Sequence, residues 1–513
     1  MTTPTSTTEV ERKLNVPAAF VLETLKGSLS ELGDVTREPR RTLNAVYYDT
    51  DDFRLARSRV TLRRRTGGND SGWHLKLPPV DLASDARGEV VLPLSAGRPG
   101  RVPAALSVLV VALTGGQPLL PLATQQTRRT PYVVVAASGE PGVEIVDDHV
   151  IIVEGAQVGT EYREVEVEVL GAAELLEPVV AVLTAAGAEP STSQSKGIRA
   201  LVGDAPLPAL IEIGERPRPK DPAGDAVRSH VRTQVAAIVR QDQRIRRHLP
   251  DSVHQYRVAA RRLRSVLQAF GPLVDDEWAR GLRTELGWIA SVLSQSRDRE
   301  VLEARLVAAV RALPPEVDGA AALVAIEQHL DAELAEAKAS IETAMASTRY
   351  GEFMARLHAA ATDPPTTELA VEKASVVLPP LARASWRKLA KQGRRLHDEL
   401  EGHDDHWHRT RITAKRARYT VEACVPVFGG PAKKFAKQLE DVTELLGEHQ
   451  DAAIAADLVQ RLASKTRGAR TPFALGVLYA QQRSRVDQTR REFVDTWPRV
   501  AHDGWRTWME QKA

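Results

Sequence analysis

The chain has 513 residues, 43% of them hydrophobic and 27% charged, which is typical of a globular protein with several domains. Its net charge is +2, and its single cysteine, Cys424, excludes an intramolecular disulfide and argues against a cysteine zinc site. No segment reaches the roughly 18 apolar residues of a membrane-spanning helix, so we expect a cytoplasmic protein with no membrane partner.

Residues 1–205 are predicted to form a β-rich domain. Short alternating runs typical of strands recur between turn residues, and helical stretches near 17–32, 104–114 and 172–186 interrupt them. The runs lie at 9–14, 45–48, 60–65, 73–77, 89–94, 132–136, 143–146, 150–154 and 163–170. So many strands with so few crossovers predict an antiparallel sheet or barrel in an α+β domain.

Charged side chains follow the period of the strands in this domain. The run Glu9–Lys13 and the run Glu164–Val169 each place several charges on one face, and Leu62–Arg65 does so with arginines. A face exposed to water is the alternative for any one strand. If the sheet closes, carboxylates that suit Mg²⁺ or Mn²⁺ meet basic groups that suit phosphate inside it, and the valines pack outward.

The ordered set of strands resembles the CYTH superfamily, the triphosphate tunnel metalloenzymes. Its motifs are Glu9-Val10-Glu11-Arg12-Lys13, Tyr47-Tyr48-Asp49-Thr50, Leu62-Arg63-Arg64-Arg65, Trp73-His74-Leu75-Lys76, Arg87-Gly88-Glu89, Arg128-Arg129, Asp147, the Glu164 to Glu168 strand and Ser195-Lys196. The resemblance covers about residues 5–202. It implies an eight-stranded antiparallel β-barrel that forms a tunnel, and hydrolysis of a triphosphate with Mg²⁺ or Mn²⁺.

The resemblance also implies roles for individual residues. The implied catalytic residues are Glu9, Glu11, Lys13 and Lys76. The implied phosphate-binding residues are Lys13, Arg63, Arg65, Lys76, Arg87, Arg128, Arg129 and Lys196, with the choice between Arg128 and Arg129 open. The implied metal ligands are Glu9, Glu11, Asp147, Glu164, Glu166 and Glu168, with the choice among the last three open. Inorganic triphosphate is the expected substrate. The alternatives are a hydrolase or cyclase acting on an organic triphosphate, and a non-catalytic scaffold that binds polyphosphate.

A proline-rich linker at 206–222 separates this domain from a domain at 223–513 that is predicted to be all-α. From Ala223 onward, Ala, Leu, Arg, Glu and Gln dominate and the alternating runs end. The segment His254–Arg264 recurs as His408–Arg418, and a turn that ends in Asp298 recurs at nearly the same offset, ending in Asp451. Two motifs repeated in the same order predict two four-helix bundles, at about 223–362 and 368–510.

A basic stripe follows one face of each repeated helix. With these repeated segments, the helical half of the chain resembles the CHAD domain. The predicted polyphosphate-binding residues are His254, Arg257, Arg261, Arg262, Arg264, His408, Arg411, Lys415, Arg416 and Arg418. The resemblance implies polyphosphate binding and association with polyphosphate granules, whereas nucleic acid is a less favoured partner and a solvated helix face is the alternative. The histidines and aspartates of 403–408 fit an exposed loop better than a metal site.

Overall fold

The computed structural model describes residues 5–17, 19–68, 70–78, 87–154, 157–191, 196–203, 205–399 and 402–510. The side chains of residues 5–9, 87, 154, 157 and 158 lie outside that description. The chain forms two compact units, Met1–Leu210 and Ile211–Ala513. None of the described helices combines the length and the apolar character that crossing a membrane requires.

The first unit is built on one antiparallel sheet. Its strands are β1 (Thr5–Glu9), β2 (Glu11–Asn15), β3 (Asp34–Arg37), β4 (Arg41–Asp49), β5 (Thr61–Thr66), β6 (Gly72–Leu77), β7 (Arg87–Leu92), β8 (Leu120–Val135), β9 (Pro141–Glu154), β10 (Gln157–Val169) and β11 (Glu189–Pro190). Ten strands follow one hydrogen-bonded path in the order β1-β7-β6-β5-β4-β8-β9-β10-β2-β11, and β3 pairs with β8. The predicted α+β domain with an antiparallel sheet is confirmed, but the number of strands is not eight. Within the described residues no ladder closes the path into a barrel.

The sheet is nevertheless strongly curved. Val10 alone separates β1 from β2, yet β1 pairs with β7 and β2 pairs with β10, near opposite ends of the path. Neighbouring Cα atoms are about 3.8 Å apart. The two ends of the path must therefore come close to each other at Val10.

The first unit also contains helices, some of which pack on this sheet. They are α1 (Lys26–Ser30), α2 (Arg54–Arg57), α3 (Ala104–Ser107), α4 (Val111–Thr114), α5 (Leu176–Ala185) and α6 (Lys196–Val202), with 3-10 helices at Leu22–Leu25, Leu94–Ala96, Val108–Val110 and Ala173–Leu175. Val165 and Val167 of β10 are fully buried in one cluster with Val179 and Leu183 of α5. Burying each such side chain contributes about 1.5–3 kcal/mol. The charged residues that alternate with these valines must therefore occupy the other face.

A buried carboxylate organises the turn that follows β4. Asp49 is fully buried and accepts hydrogen bonds from the backbone N–H groups of Thr50, Leu55 and Ala56, at 2.7, 2.8 and 2.9 Å. The N–H groups in the first turn of a helix have no partner within that helix. Asp49 therefore caps α2 and fixes the connection from β4 to β5.

We expect Asp49→Ala to lower the free energy of unfolding of the first unit by about 3 kcal/mol, because three buried N–H groups lose their acceptor. Asp51→Ala is the matched control, since Asp51 is exposed. Hydrogen–deuterium exchange of peptides from the first unit, measured against urea concentration, reports the unfolding of that unit separately. Equal stability of the two variants would contradict the capping role of Asp49.

The second unit is all-helical, as predicted. Its described α-helices are α7 (Ala223–Ile245), α8 (Ser252–Ala269), α9 (Asp276–Arg311), α10 (Gly319–Ala346), α11 (Thr348–Thr362), α12 (Ala374–Asp398), α13 (Asp404–Phe428), α14 (Gly430–Lys465) and α15 (Arg470–Val500), with 3-10 helices at Gly271–Leu273, Glu368–Val371 and Asp503–Met509. The 36-residue helices α9 and α14 stand third in the successions α7–α10 and α12–α15. The helices α8 and α13, which carry the repeated basic segments, contact each other.

Candidate functional site

The face of the sheet opposite the valines is lined with charged side chains. Cross-strand partners in an antiparallel ladder point to the same side of the sheet, so the register identifies the residues that share this face. We call it the polar face, and its described charged residues are Glu11, Lys13, Arg41, Arg63, Arg65, Lys76, Glu89, Arg129, Glu144, Asp148, Glu164, Glu166 and Glu168.

One part of the polar face is a compact cluster of ion pairs around Glu166. The Nζ atoms of Lys13 and Lys196 lie 2.7 and 2.9 Å from its carboxylate, and Nη2 of Arg129 lies 3.5 Å from it. Asp148, whose side chain has no exposed surface, accepts hydrogen bonds from Arg129 at 2.9 and 2.7 Å and contacts Lys196. The first residue of α6 thus reaches the same carboxylates as β2 and β8.

The charges of this cluster stabilise one another. Burial raises the pKa of Glu166, but Lys13, Lys196 and Arg129 more than offset burial, and the pKa falls well below its usual range. Burial lowers the pKa of Lys196, but the surrounding carboxylates, led by Asp148, raise it above its ordinary value. The basic groups of the cluster therefore stay charged when no ligand is bound.

A second part of the polar face is a row of carboxylates. Glu168 on β10 is the direct cross-strand partner of Glu11 on β2 and of Glu144 on β9. Burial raises the pKa of Glu168, the positive charge of Lys76 opposes this, and Glu11 adds to it. Within the described part of the chain, Glu168 and Glu144 form no ion pair. This row has an excess of negative charge that a cation would relieve.

The effect of Lys76 on Glu168 indicates that the polar face is concave. Four strands separate β6 from β10 along the path. At about 4.8 Å per strand, a flat sheet would place them roughly 24 Å apart, well beyond the screening length of about 10 Å. The sheet therefore curls until the basic strands face the acidic ones.

Arginines crowd the wall of the polar face formed by β5. Arg65 is ion-paired with Asp70, and burial together with the charges of Arg63 and Arg129 lowers the pKa of Arg65 to about 9. The buried Nε atoms of Arg63 and Arg65 have no hydrogen-bond partner among the described residues. Unpaired donors beside like charges favour an anionic ligand at this wall.

The structure places two predicted site residues on the other face of the sheet. Asp147 forms an ion pair with Arg163 through two hydrogen bonds of 2.8 Å, and the inward-facing aspartate is its neighbour Asp148. Arg128 is exposed, and Arg129 is the inward-facing arginine. The predicted role of Asp147 as a metal ligand therefore does not fit its position. The predicted side chains of Glu9 and Arg87, and Ser195 of the motif, lie outside the described residues.

The fit of a divalent metal ion to the polar face depends on the carboxylate row. Among the side chains that the structure describes, no three His, Cys, Asp or Glu residues converge closely enough to enclose a metal ion. Mg²⁺ is commonly held by one or two carboxylates together with substrate phosphates and water. Glu11, Glu144 and Glu168 supply the oxygen donors that such a site needs, without a preformed cage.

The second unit contains a groove between α8 and α13. Two cavities of about 290 and 280 Å³ share Arg261, Arg411 and Lys415 in their walls. We call the combined lining the basic groove; its charged and histidine residues are His254, Arg257, Arg261, Arg264, Arg297, Asp298, Arg305, His408, Arg411, Lys415, Arg416 and Asp451. Among the described residues, no acidic side chain lines the smaller cavity, whereas Asp298 and Asp451 line the larger.

Most of the predicted polyphosphate-binding residues line this groove, but two do not. Arg262 forms an ion pair with Glu422 at 3.1 Å. Arg418 donates hydrogen bonds to Glu422 at 2.7 Å and to Thr443 at 3.1 Å, so groups on α13 and α14 engage its guanidinium. The structure adds Arg305, which also pairs with Glu448 at 3.0 Å.

Comparisons with known proteins identify both units. A family model of the CYTH domain matches residues 7–188, and one of the CHAD domain matches residues 229–460. Uncharacterized protein Rv2226 of Mycobacterium tuberculosis is 32% identical over 511 residues, covering 94% of this chain and 94% of its own. The chain belongs to the family of proteins that carry a CYTH domain and a CHAD domain. Members of the CYTH family are triphosphate tunnel hydrolases or cyclases.

Solved structures similar to each unit are also found. PptA from Streptomyces chartreusis is 26% identical and covers 54% of this chain and 99% of its own, with a TM-score of 0.47. The CHAD domain from the plant Ricinus communis is 24% identical and covers 55% of this chain and 94% of its own, with a TM-score of 0.41. HpAC1 from Hippeastrum, described as having a dominant triphosphatase activity, is 19% identical. It covers 39% of this chain and 97% of its own, with a TM-score of 0.26.

Proposed function

We propose that the first unit hydrolyses a triphosphate, with inorganic triphosphate as the substrate and Mg²⁺ or Mn²⁺ as the metal. The observation that carries this proposal is the division of one concave face into a cluster of charged bases and a row of carboxylates, of which Glu144 and Glu168 have no ion pair among the described residues. A phosphate chain requires the bases, and the divalent ion that accompanies it requires carboxylate oxygens.

Glu11, Glu144 and Glu168 would hold the metal ion, with Glu9 as the adjoining candidate in the sequence. A bound divalent ion would offset negative charge on the phosphate oxygens and lower the pKa of an attacking water. Glu164 and Glu166 are poorer candidates, because Lys196 lies 3.3 and 2.9 Å from their carboxylates. Of the three glutamates of β10 among which the sequence left the choice open, Glu168 is therefore the proposed ligand.

The basic residues of the polar face would bind and position the phosphate chain. Lys13, Arg129 and Lys196 are already charged and held by carboxylates, so phosphate oxygens compete for donors that stand in place. Arg63 and Arg65 add guanidinium groups from the facing wall, and their Nε atoms have no hydrogen-bond partner in the part of the chain that the structure describes. Positioning and electrostatic stabilisation account for most of the catalysis of phosphoryl transfer.

Phosphate release from tripolyphosphate, with and without Mg²⁺, tests this proposal. We expect release by the wild type only when the metal is present. Asp148→Asn should be roughly 10²-fold slower, because it loosens the hold on Arg129 and Lys196. Asp147→Asn is the matched control on the opposite face and should keep the wild-type rate. Thermal unfolding of each variant shows whether a loss of rate reflects a loss of fold.

The same assay separates the proposed hydrolase from its alternatives. ATP, thiamine triphosphate and long-chain polyphosphate are tested beside tripolyphosphate with Mg²⁺ and with Mn²⁺. Faster turnover of an organic triphosphate, or formation of a cyclic nucleotide, would replace inorganic triphosphate as the substrate. Absence of release from every compound would contradict hydrolysis and favour a non-catalytic scaffold.

We further propose that the basic groove binds polyphosphate. Arginines from both repeats line the groove together, and none of the described residues lining its smaller cavity is a carboxylate that would compensate them. A single chain of phosphates can enter cavities of this size and approach cations on both sides. A nucleic acid duplex, which carries its phosphates on a broad outer surface, fits such a recess less well.

A further inference from the structure

Lys415 occupies the middle of the basic groove. It lines both cavities, together with Arg261 and Arg411. Its side chain on α13 is half-buried, and among the described residues no carboxylate forms an ion pair with it. An ammonium group at this position would stand beside two guanidinium groups that cannot give up their protons.

The groups that surround Lys415 come from four helices, and most of them are basic. They are His254, Arg257, Arg261 and Arg264 on α8, Arg297, Asp298 and Arg305 on α9, His408, Arg411 and Arg416 on α13, and Asp451 on α14. Asp298 is engaged by Arg257 at 2.9 Å. Asp451 is thus the main negative charge that opposes these bases, and its carboxylate also interacts electrostatically with Arg411.

Charge and burial both disfavour a proton on Lys415 in the free protein. Burial lowers the pKa of Lys415 to about 6, with contributions in the same direction from Arg261 and Arg411, and Asp451 only partly opposes them. At neutral pH the ε-amine is therefore mostly neutral, whereas the two arginines keep their charge. An incoming phosphate chain would reverse this balance, because its negative charge compensates the arginines and favours an ammonium.

We propose that Lys415 takes up one proton when a phosphate chain enters the basic groove, so that polyphosphate and proton bind together. This inference rests on the proposed binding of polyphosphate by the groove. The step adds a proton from solvent to the neutral ε-amine and forms no bond to phosphorus. The resulting ammonium donates hydrogen bonds to phosphate oxygens, whereas the lone pair of a neutral amine would repel them.

The internal repeat confines this coupling to one bundle. The order of His254, Arg257 and Arg261 in the first repeat matches that of His408, Arg411 and Lys415 in the second. Arg261 occupies the position in the first repeat that is equivalent to Lys415, and an arginine does not release its proton in this range of pH. One proton per chain is therefore the expected uptake from these two positions.

The direction of the pH dependence follows from the lowered pKa of Lys415. Above about pH 6 the free groove lacks the proton that the bound state holds, so affinity rises as the pH falls. Uptake of one proton corresponds to a change in affinity of up to about tenfold per pH unit. Below about pH 6 the dependence levels off, because Lys415 is already charged in the free protein.

Isothermal titration calorimetry of the full chain in buffers of different ionisation enthalpy measures the proton uptake directly. The probe is long-chain polyphosphate, whose internal phosphates stay ionised, with EDTA present to remove divalent ions. At about pH 7.5 we expect the wild type to take up, on binding polyphosphate, about one proton more than Lys415→Arg does. That variant already carries its positive charge in the free protein, so its affinity should lose the pH dependence that the wild type shows above about pH 6. Any contribution from the first unit is common to both proteins and cancels.

A second variant distinguishes proton coupling from a merely structural role. Lys415→Gln should lose much affinity near about pH 6, where the wild type binds as an ammonium, and little near about pH 9. A structural defect would cost the same affinity at both values. Polyphosphate binding with equal proton uptake by wild type and Lys415→Arg would overturn the coupling alone. No binding by the wild type at any pH would overturn the proposed groove function and the coupling together.

Discussion

Lys13→Met is expected to lower kcat/KM for tripolyphosphate by roughly 10²- to 10³-fold, the usual effect of removing one preorganised charged donor. Lys13 lies on β2 between the two parts of the polar face, with its Nζ 2.7 Å from Glu166 and 3.6 Å from Glu11. Methionine fills nearly the same volume but has no charge to offer a phosphate oxygen. Steady-state phosphate release measures the change, and Lys13→Arg should recover part of the activity because it keeps the charge.

The neighbouring residue provides the matched control for this prediction. Arg12 points to the other face of β2, where it pairs with Glu177 at 3.0 Å in a largely exposed contact. Such surface pairs contribute only about 0–1 kcal/mol to stability, so Arg12→Met should keep both the fold and the activity. If Lys13→Met hydrolysed tripolyphosphate as fast as Arg12→Met, the reaction would not take place on the polar face.

The alternation of side chains in strands made much of the polar face predictable from the sequence. Glu164, Glu166 and Glu168 alternate with Val165 and Val167, and a sheet that buries those valines must place the glutamates together. The same rule could have placed Asp148 inward. Val143 and Ile145 alternate on the buried side of β9, and continuing that alternation puts Asp147 outward.

The number of strands, and which carboxylates of the polar face are ion-paired, could not be predicted from the alternation of side chains. The first strand divides at Val10 and pairs with two different neighbours, and this division depends on the curvature of the whole sheet. Local patterns carry no information on such a long-range constraint. Whether a given carboxylate is neutralised also depends on partners distant in sequence, as Lys196 shows by reaching Asp148 and Glu164.

The two basic segments of the internal repeat meet in one groove, but equivalence in sequence did not give them equivalent environments. Arg264 in the first repeat is exposed at the groove, whereas its counterpart Arg418 pairs with Glu422. The difference lies one turn further along the helix, where the second repeat has Glu422 and the first repeat has no carboxylate. Helical spacing of four residues could have shown this pair in advance.

The double variant Arg261→Ala/Arg411→Ala is expected to weaken binding of long-chain polyphosphate by roughly 10²-fold or more at low salt, since hydrogen bonds to charged groups contribute about 1.5–3 kcal/mol each. Both arginines line both cavities of the basic groove. Neutralising a phosphate releases counterions, so the slope of log affinity against log salt should also become shallower, by about 0.7–0.9 for each phosphate that the variant no longer neutralises. Binding isotherms of the full chain in EDTA, at several salt concentrations, measure both effects.

Arg409→Ala is the matched control, because Arg409 is an exposed arginine on the same helix as Arg411 that lines neither cavity. Its removal changes the net charge of the chain but not the charge of the groove. It should therefore leave both affinity and salt slope near the wild-type values. If Arg409→Ala weakened binding as much per charge removed as the double variant, polyphosphate would be attracted by the overall charge of the helical unit. The same affinity for duplex DNA as for polyphosphate would point to a nucleic-acid site instead. Weakened binding confined to the double variant requires the phosphate chain to lie between α8 and α13, where the two repeats meet.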